Sequence, residues 1–261
     1  MRSKAGRAAL LGVACAALTL TACESGASGD GKGKGKDDER ANGKLLSQSL
    51  QLFKDAPSVR VSYQMTEGSE VRVEVSSDRQ NNCHVVAENE AFRFDVERGG
   101  RAWMRWSDAY LDMGSAGADG AQANKELRGK WLELSHDSKI RKNMAERCAL
   151  TDMRKLADQM TGPHRGAYRD AEVTEQGERL IPLRQGDQGN SVTTYVQADG
   201  KPYPRKLVMD TPKVASVPVD VRFLAYGEPV AVEPPKDSQT VRSARIEALA
   251  EKNLALGLTG S

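Results

Sequence analysis

The residues with the clearest chemistry are Leu20-Thr21-Ala22-Cys23, at the end of a short apolar run. Small residues directly before a cysteine, after a hydrophobic stretch, have the pattern of a bacterial lipobox. The chemistry is acylation: the chain is cut before Cys23 and its thiol carries a diacylglycerol. Residues 1–7 form a basic leader, and residues 8–20 are apolar but too short to span a bilayer, which needs ~20 residues. Residues 1–22 therefore read as a lipoprotein signal peptide. The alternative, an ordinary secretory signal, requires no cysteine at its cut. Each buried methylene contributes ~0.8 kcal/mol, and stable anchoring needs about two chains, which one diacylglyceryl group supplies. Cys23 is the expected lipid anchor, and the expected location is the extracytoplasmic face of a bacterial cell membrane.

Two cysteines remain after the anchor, Cys83 and Cys148. Outside the cytoplasm an isolated pair usually forms a disulfide. The alternatives are a metal pair or two buried thiols; the wide separation lacks the close spacing of a zinc site.

The residue types for catalysis are sparse. The histidines are His84, His136 and His164, and none stands in a His-Glu-x-x-His array. No Gly-x-Ser-x-Gly elbow occurs. Asp108 and Asp112 are four apart and share a helix face, a spacing common on solvated helices. His84 lies beside Cys83 on an expected strand, where a hydrogen-bonded, half-buried histidine is the simpler reading. Trp103, Trp106, Tyr110 and Trp131 suit a sugar- or lipid-binding mouth, although aromatics near strand ends are more often core. Residues 26–33 imitate a phosphate-binding loop, but Gly33 stands where Ser or Thr is required, and no strand precedes it. The chain is therefore expected to be no enzyme, with no metal and no cofactor.

The chain holds 38 basic and 36 acidic residues; without Arg2, Lys4 and Arg7, 35 basic residues face the 36 acidic ones. That balance argues against a nucleic-acid partner.

The elements that position these residues follow from periodicity. Residues 23–43, rich in Gly and Lys, read as the lipidated cysteine plus a disordered linker reaching ~25 Å. Residues 42–55 place Leu46, Leu50 and Phe53 at helical spacing, and Pro57 ends the helix. Strict alternation follows: Val59, Val61, Tyr63 and Met65; then Val71, Val73 and Val75; then residues 83–86; then Phe92, Phe94 and Val96; then residues 101–106. Residues 108–113 begin a helix, and residues 114–123 read as a Gly/Ala-rich loop. Residues 130–134 form another strand. Residues 138–148 and 152–160 form two short helices. Strands return over 168–174, 179–183, 191–197, 205–210 and 217–226. Asp199-Gly200 signals a turn, and Pro202 and Pro204 delay the strand after it. Residues 242–258 form an amphipathic helix that docks or stays a tail. The boundaries are thus 1–22, 23–43, a single domain over 44–235, and 236–261. The class is α+β with one large antiparallel sheet of about ten strands, which tends to curl.

The order of these elements resembles the mycobacterial glycolipid-carrier lipoproteins. Those are similar in fold to the Gram-negative periplasmic lipoprotein carrier and to sensor proteins sharing its half-barrel. The residues carrying the resemblance are Gly129-Lys130-Trp131-Leu132-Glu133-Leu134 and the run from Val196 to Leu207 that contains Asp199-Gly200-Lys201-Pro202. The resemblance covers residues 43–232. It implies an unclosed half-barrel whose concave face, covered by helices, holds acyl chains. The residues expected to line such a cavity are Val59, Val61, Tyr63, Met65, Val71, Val73, Val75, Phe92 and Phe94. The function so implied is binding or carriage of an amphiphilic lipid or glycolipid. The alternative is an envelope protein-interaction or sensor lipoprotein on the same fold, without lipid cargo.

Overall fold

The computed structural model describes residues 32–64, 72–87, 89–113, 117–148, 166–187, 190–210 and 219–253. The anchor Cys23, the 1–22 leader, the lining candidates Met65 and Val71, His164, and the expected helix over 152–160 lie outside these residues.

Among the described residues thirteen strands form one unclosed sheet, in the order Thr240–Val241, Trp131–Leu134, Ala102–Trp106, Phe92–Val96, Cys83–Ala87, Arg72–Asp78, Ser58–Gln64, Val219–Tyr226, Pro204–Asp210, Asn190–Gln197, Glu178–Asp187 and Tyr168–Arg169, with Val173–Glu175 also on Glu178–Asp187. The first half is a meander: β1 Ser58–Gln64, β2 Arg72–Asp78, β3 Cys83–Ala87, β4 Phe92–Val96, β5 Ala102–Trp106 and β6 Trp131–Leu134. The second half is β7 Tyr168–Arg169, β8 Val173–Glu175, β9 Glu178–Asp187, β10 Asn190–Gln197, β11 Pro204–Asp210 and β12 Val219–Tyr226. The halves join where β1 pairs with β12, and the register shifts there between Arg60 and Val61. The sheet is larger than expected. The strand expected over 168–174 is two short pieces, and β13 Thr240–Val241 adds a parallel pair with β6.

Alternation decides which face is dry. Val61 pairs with Val75, Val75 with Val85, Val85 with Phe94, and Phe94 with Met104, so one row of apolar side chains crosses five strands. All five are buried, as is Leu132 opposite Met104. The alternate residues Arg60, Glu74, His84, Arg93 and Arg105 point to the other, wet face. Burying each of the large side chains contributes about 2–3 kcal/mol.

Helices cover the dry face because each carries an apolar stripe. α1, Lys32–Asp55, buries Leu46, Leu50 and Phe53 and crosses β7, β10 and β11; Phe53 meets Phe223 of β12 edge-on at 5.4 Å. α1 begins ten residues before the expected helix, so residues 32–43, read as linker, are helical. Once Leu46–Phe53 has packed, extension through Lys, Asp, Glu, Arg and Ala needs no new nucleus, and this offsets the roughly 1 kcal/mol cost of each glycine.

α2 is Asp108–Met113 and α3 is Gly117–Leu127. α3 replaces most of the expected 114–123 loop. Its alanines favour helix, and Ala123 and Leu127 seat it in the core. Asn124 is buried and donates from its side-chain amide to the Leu111 carbonyl, tying α3 to α2. α4 is Lys139–Cys148, with Ile140 and Met144 buried over β2 and β3. α5, Ala244–Asn253, docks through Ile246 and Ala250, which settles whether the last helix packs or trails. Serines cap three of these helices: Ser107, Ser138 and Ser243 accept from the backbone N–H of Tyr110, Arg141 and Ile246 at 3.2–3.3 Å.

α5 also holds its neighbour by charge. Glu247 accepts from the Ser135 backbone N–H at 2.9 Å and its hydroxyl at 3.0 Å. Glu251 accepts from the Lys139 backbone N–H at 2.5 Å and the Ser138 hydroxyl at 3.0 Å. A carboxylate at the first turn of α4 also complements the helix dipole.

Candidate functional site

The concave face is apolar over both halves of the sheet. Tyr63 pairs with Val73 on one side and Val221 on the other; Val221 pairs with Leu207, Leu207 with Thr194, and Thr194 with Leu183. Leu183, Thr194 and Leu207 are buried, whereas Tyr63 and Val221 are only partly covered. One step further along the strands, Met209 and Val192 face each other and are also partly covered. The same face thus runs from a closed floor to an accessible end at Tyr63, Val192, Met209 and Val221.

The expected lining residues sit mostly in the closed part. Val59, Val61, Val73, Val75, Phe92 and Phe94 are buried in one cluster with Leu46, Leu50, Phe53, Ile140 and Met144. Sequence reasoning drew its list from the first strand set. It therefore missed Val192, Met209 and Val221, whose signal is the same alternation in the second set.

α4 brings chemistry over this face. Cys148, at its end, is bonded to Cys83 at the start of β3, with a Cα–Cα distance of 5.8 Å. The metal-pair and free-thiol readings of the two cysteines are thereby excluded. Arg147, one residue earlier and half-buried, donates a side-chain hydrogen bond to the Tyr63 hydroxyl. Burial pushes the Tyr63 phenol up from its usual range, and the Arg147 guanidinium opposes that shift. Tyr63 therefore stays neutral beside a cation at neutral pH.

The convex face is polar and paired. Asp95, 1 % exposed, accepts from Nδ1 of His84 and from Nε of Arg93 at 3.0 Å. His84 is half-buried and hydrogen-bonded, as expected. Arg93 stacks over Trp131 at 5.3 Å and Arg101 over Trp103 at 5.1 Å. Trp103 and Trp106 are buried and Tyr110 is partly buried, so these aromatics are core rather than mouth. Asp108 and Asp112 do share a helix face, and both pair with Arg128, Asp108 at 3.6 Å. Among the described residues no three His, Cys, Asp or Glu side chains are grouped to hold a metal ion, and no helix is long and apolar enough to cross a membrane.

The sheet and its helices define an α+β half-barrel, open along one side, with an apolar concave face. No family model and no curated protein matches the sequence. Among solved structures the fold is similar to that of the Mycobacterium tuberculosis lipoprotein LppX, at 14 % identity and a TM-score of 0.48, over 74 % of this chain and 99 % of that one. It is also similar to LprF from Mycobacterium bovis, at 13 % identity and a TM-score of 0.45, over 75 % and 97 %. The Pseudomonas aeruginosa MucA/MucB complex matches at 11 % identity and a TM-score of 0.31, over 78 % of this chain and 62 % of that one.

Proposed function

We propose that this chain is an extracytoplasmic lipoprotein, anchored by lipid on Cys23, that takes the acyl chains of an amphiphilic lipid onto its concave sheet face. The observation that carries the reading is the accessible apolar end at Tyr63, Val192, Met209 and Val221, continuous with the buried floor. Hydrocarbon moving from a bilayer to such a face exchanges one dry environment for another, so transfer needs little net free energy. A tethered domain stays near the bilayer throughout. The reading assigns no bond-making step to the protein and places it among carriers rather than enzymes.

The test is native mass spectrometry of the chain purified from a bacterial envelope without detergent, followed by organic extraction. A reproducible mass excess that extracts as lipid is the expected result. A bare mass, unchanged after incubation with envelope lipids, would overturn the proposal. One observation favours the second reading, a protein-interaction or sensor lipoprotein on the same fold: Val61, Val73, Val75 and Phe94 are fully buried with no ligand present. A bare mass would leave that reading standing.

A further inference from the structure

A cavity of about 540 Å³ lies where β4 begins and β5 ends. It shares no residue with the accessible end of the concave face at Tyr63, Val192, Met209 and Val221. Its size is that of a small-molecule site, where an apolar lining carries a few placed polar groups. Phe92 and Trp106, opposite each other across β4 and β5, give it an apolar wall. Trp106 is 1 % exposed, and its indole N–H finds no acceptor among the described residues. A buried donor left so is costly, and an acceptor on a bound molecule would complete it.

The charged groups around this wall are of both signs. Arg93 and Arg105 stand directly opposite each other, a like-charge pairing that destabilises a sheet. Arg93 is offset by buried Asp95 at 3.0 Å, whereas Arg105 has no ion pair among the described residues. Of the two carboxylates, Asp108 pairs with Arg128 at 3.6 Å, and Glu90 has no ion pair among the described residues. Glu90 is held in the turn between β3 and β4 at φ 56°, a left-handed conformation that side chains rarely adopt, and its N–H donates to the Ala87 carbonyl at 2.8 Å. Such strain collects at ligand clamps. A simple anion in this cavity gains from Arg105 and is opposed by Glu90; a simple cation meets the reverse. A molecule with one charge of each sign satisfies both. Its carboxylate or phosphate oxygens fit the fork of the Arg105 guanidinium and also supply the acceptor that Trp106 lacks.

We infer that this cavity binds a small zwitterion, with its anionic group on Arg105 and the Trp106 N–H and its ammonium on Glu90. The inference does not rest on the lipid-binding reading, since the cavity lies apart from the accessible concave end.

The experiment titrates the purified full-length chain with two zwitterions and their single-charge analogues by isothermal titration calorimetry. Leucine is compared with N-acetylleucine, which lacks the ammonium, and with leucinamide, which lacks the carboxylate. Glycerophosphoethanolamine is compared with glycerol phosphate. The expected result is roughly tenfold tighter binding of at least one zwitterion than of each of its analogues. Leucine alone identifies a free amino acid as the ligand class, and glycerophosphoethanolamine alone identifies a lipid head group. Glu90→Gln should remove the advantage over the analogue without ammonium, and Arg105→Gln the advantage over leucinamide. Trp106→Phe keeps the wall and should weaken the zwitterion severalfold. An analogue that binds as tightly as each parent zwitterion overturns the inference, as does binding of neither zwitterion. An advantage that survives in both Glu90→Gln and Arg105→Gln also overturns it. Should a variant fail to fold, as judged by circular dichroism, the unmodified chain's own preference for parent over analogue still decides the matter.

Discussion

Replacing both Cys83 and Cys148 by alanine should destabilise the domain by about 4 kcal/mol. The figure follows from the loop: the bond joins positions separated by 65 residues, and cross-linking a loop of that length removes about 4 kcal/mol of unfolded-chain entropy at 25 °C. Packing changes add little, since Cys83 is small and its neighbours Val96 and Ser77 stay in the sheet. The assay is equilibrium unfolding in urea followed by far-ultraviolet circular dichroism. With a slope of roughly 2–3 kcal/mol per molar, the midpoint should fall by about 1.3–2 M. Unmodified protein unfolded in reductant should match the double variant. A midpoint shift below about 0.5 M would refute the reasoning, because the bond would then constrain nothing that the packed helices had not already fixed. A second readout is local: without the bond, α4 should be cut faster by protease, while α1 should not.

Three further expectations follow from particular side chains. Phe94→Ala should cost about 3–5 kcal/mol in the same urea assay, because Phe94 is fully buried at the centre of the apolar row. Asp95→Ala should cost about 2–3 kcal/mol, the worth of hydrogen bonds to charged groups; Arg93 and His84 are exposed enough to regain water, which limits the loss. The Tyr226 phenol donates to the Pro204 carbonyl at 2.5 Å, and burial, with Tyr203 adding to it and Arg205 opposing, pushes it well above its usual 10.0. The folded chain then holds that proton to higher pH than the unfolded chain, so stability should fall as pH rises beyond 10. Tyr226→Phe should flatten that fall in a pH series of thermal melts; an unchanged slope would exclude Tyr226 as its source.

Much of the first half of the sheet was legible because period-2 alternation needs no partner to be seen. Val59, Val61, Val73, Val75, Phe92 and Phe94 announce one dry face by themselves. What was not legible depends on tertiary contact. Thr240 and Val241 are too short a run to read as a strand and become one only beside β6. Glycine at 117 and 120 argued for a loop, yet the burial of Ala123 and Leu127 made that stretch α3. His84 and Asp95 meet only through the β3–β4 register, which their separation in the chain does not reveal. Arg147 carried no signal: it is one of many charged residues on a short helix, and only the placement of α4 over β2 brings it to Tyr63.

The parallel pair of β13 with β6 bears on how the protein reaches its final state. A row of unpaired N–H and C=O groups on a sheet edge invites pairing with another chain. β6 exposes such a row from the moment the meander forms, and its cover, Thr240–Val241, lies far later in the chain. Until Thr240–Val241 pairs, the folding sheet is therefore adhesive along that side. A chain in which Thr240–Val241 cannot pair leaves that edge bare and should associate edge to edge, so that short strand acts as a safeguard against self-assembly.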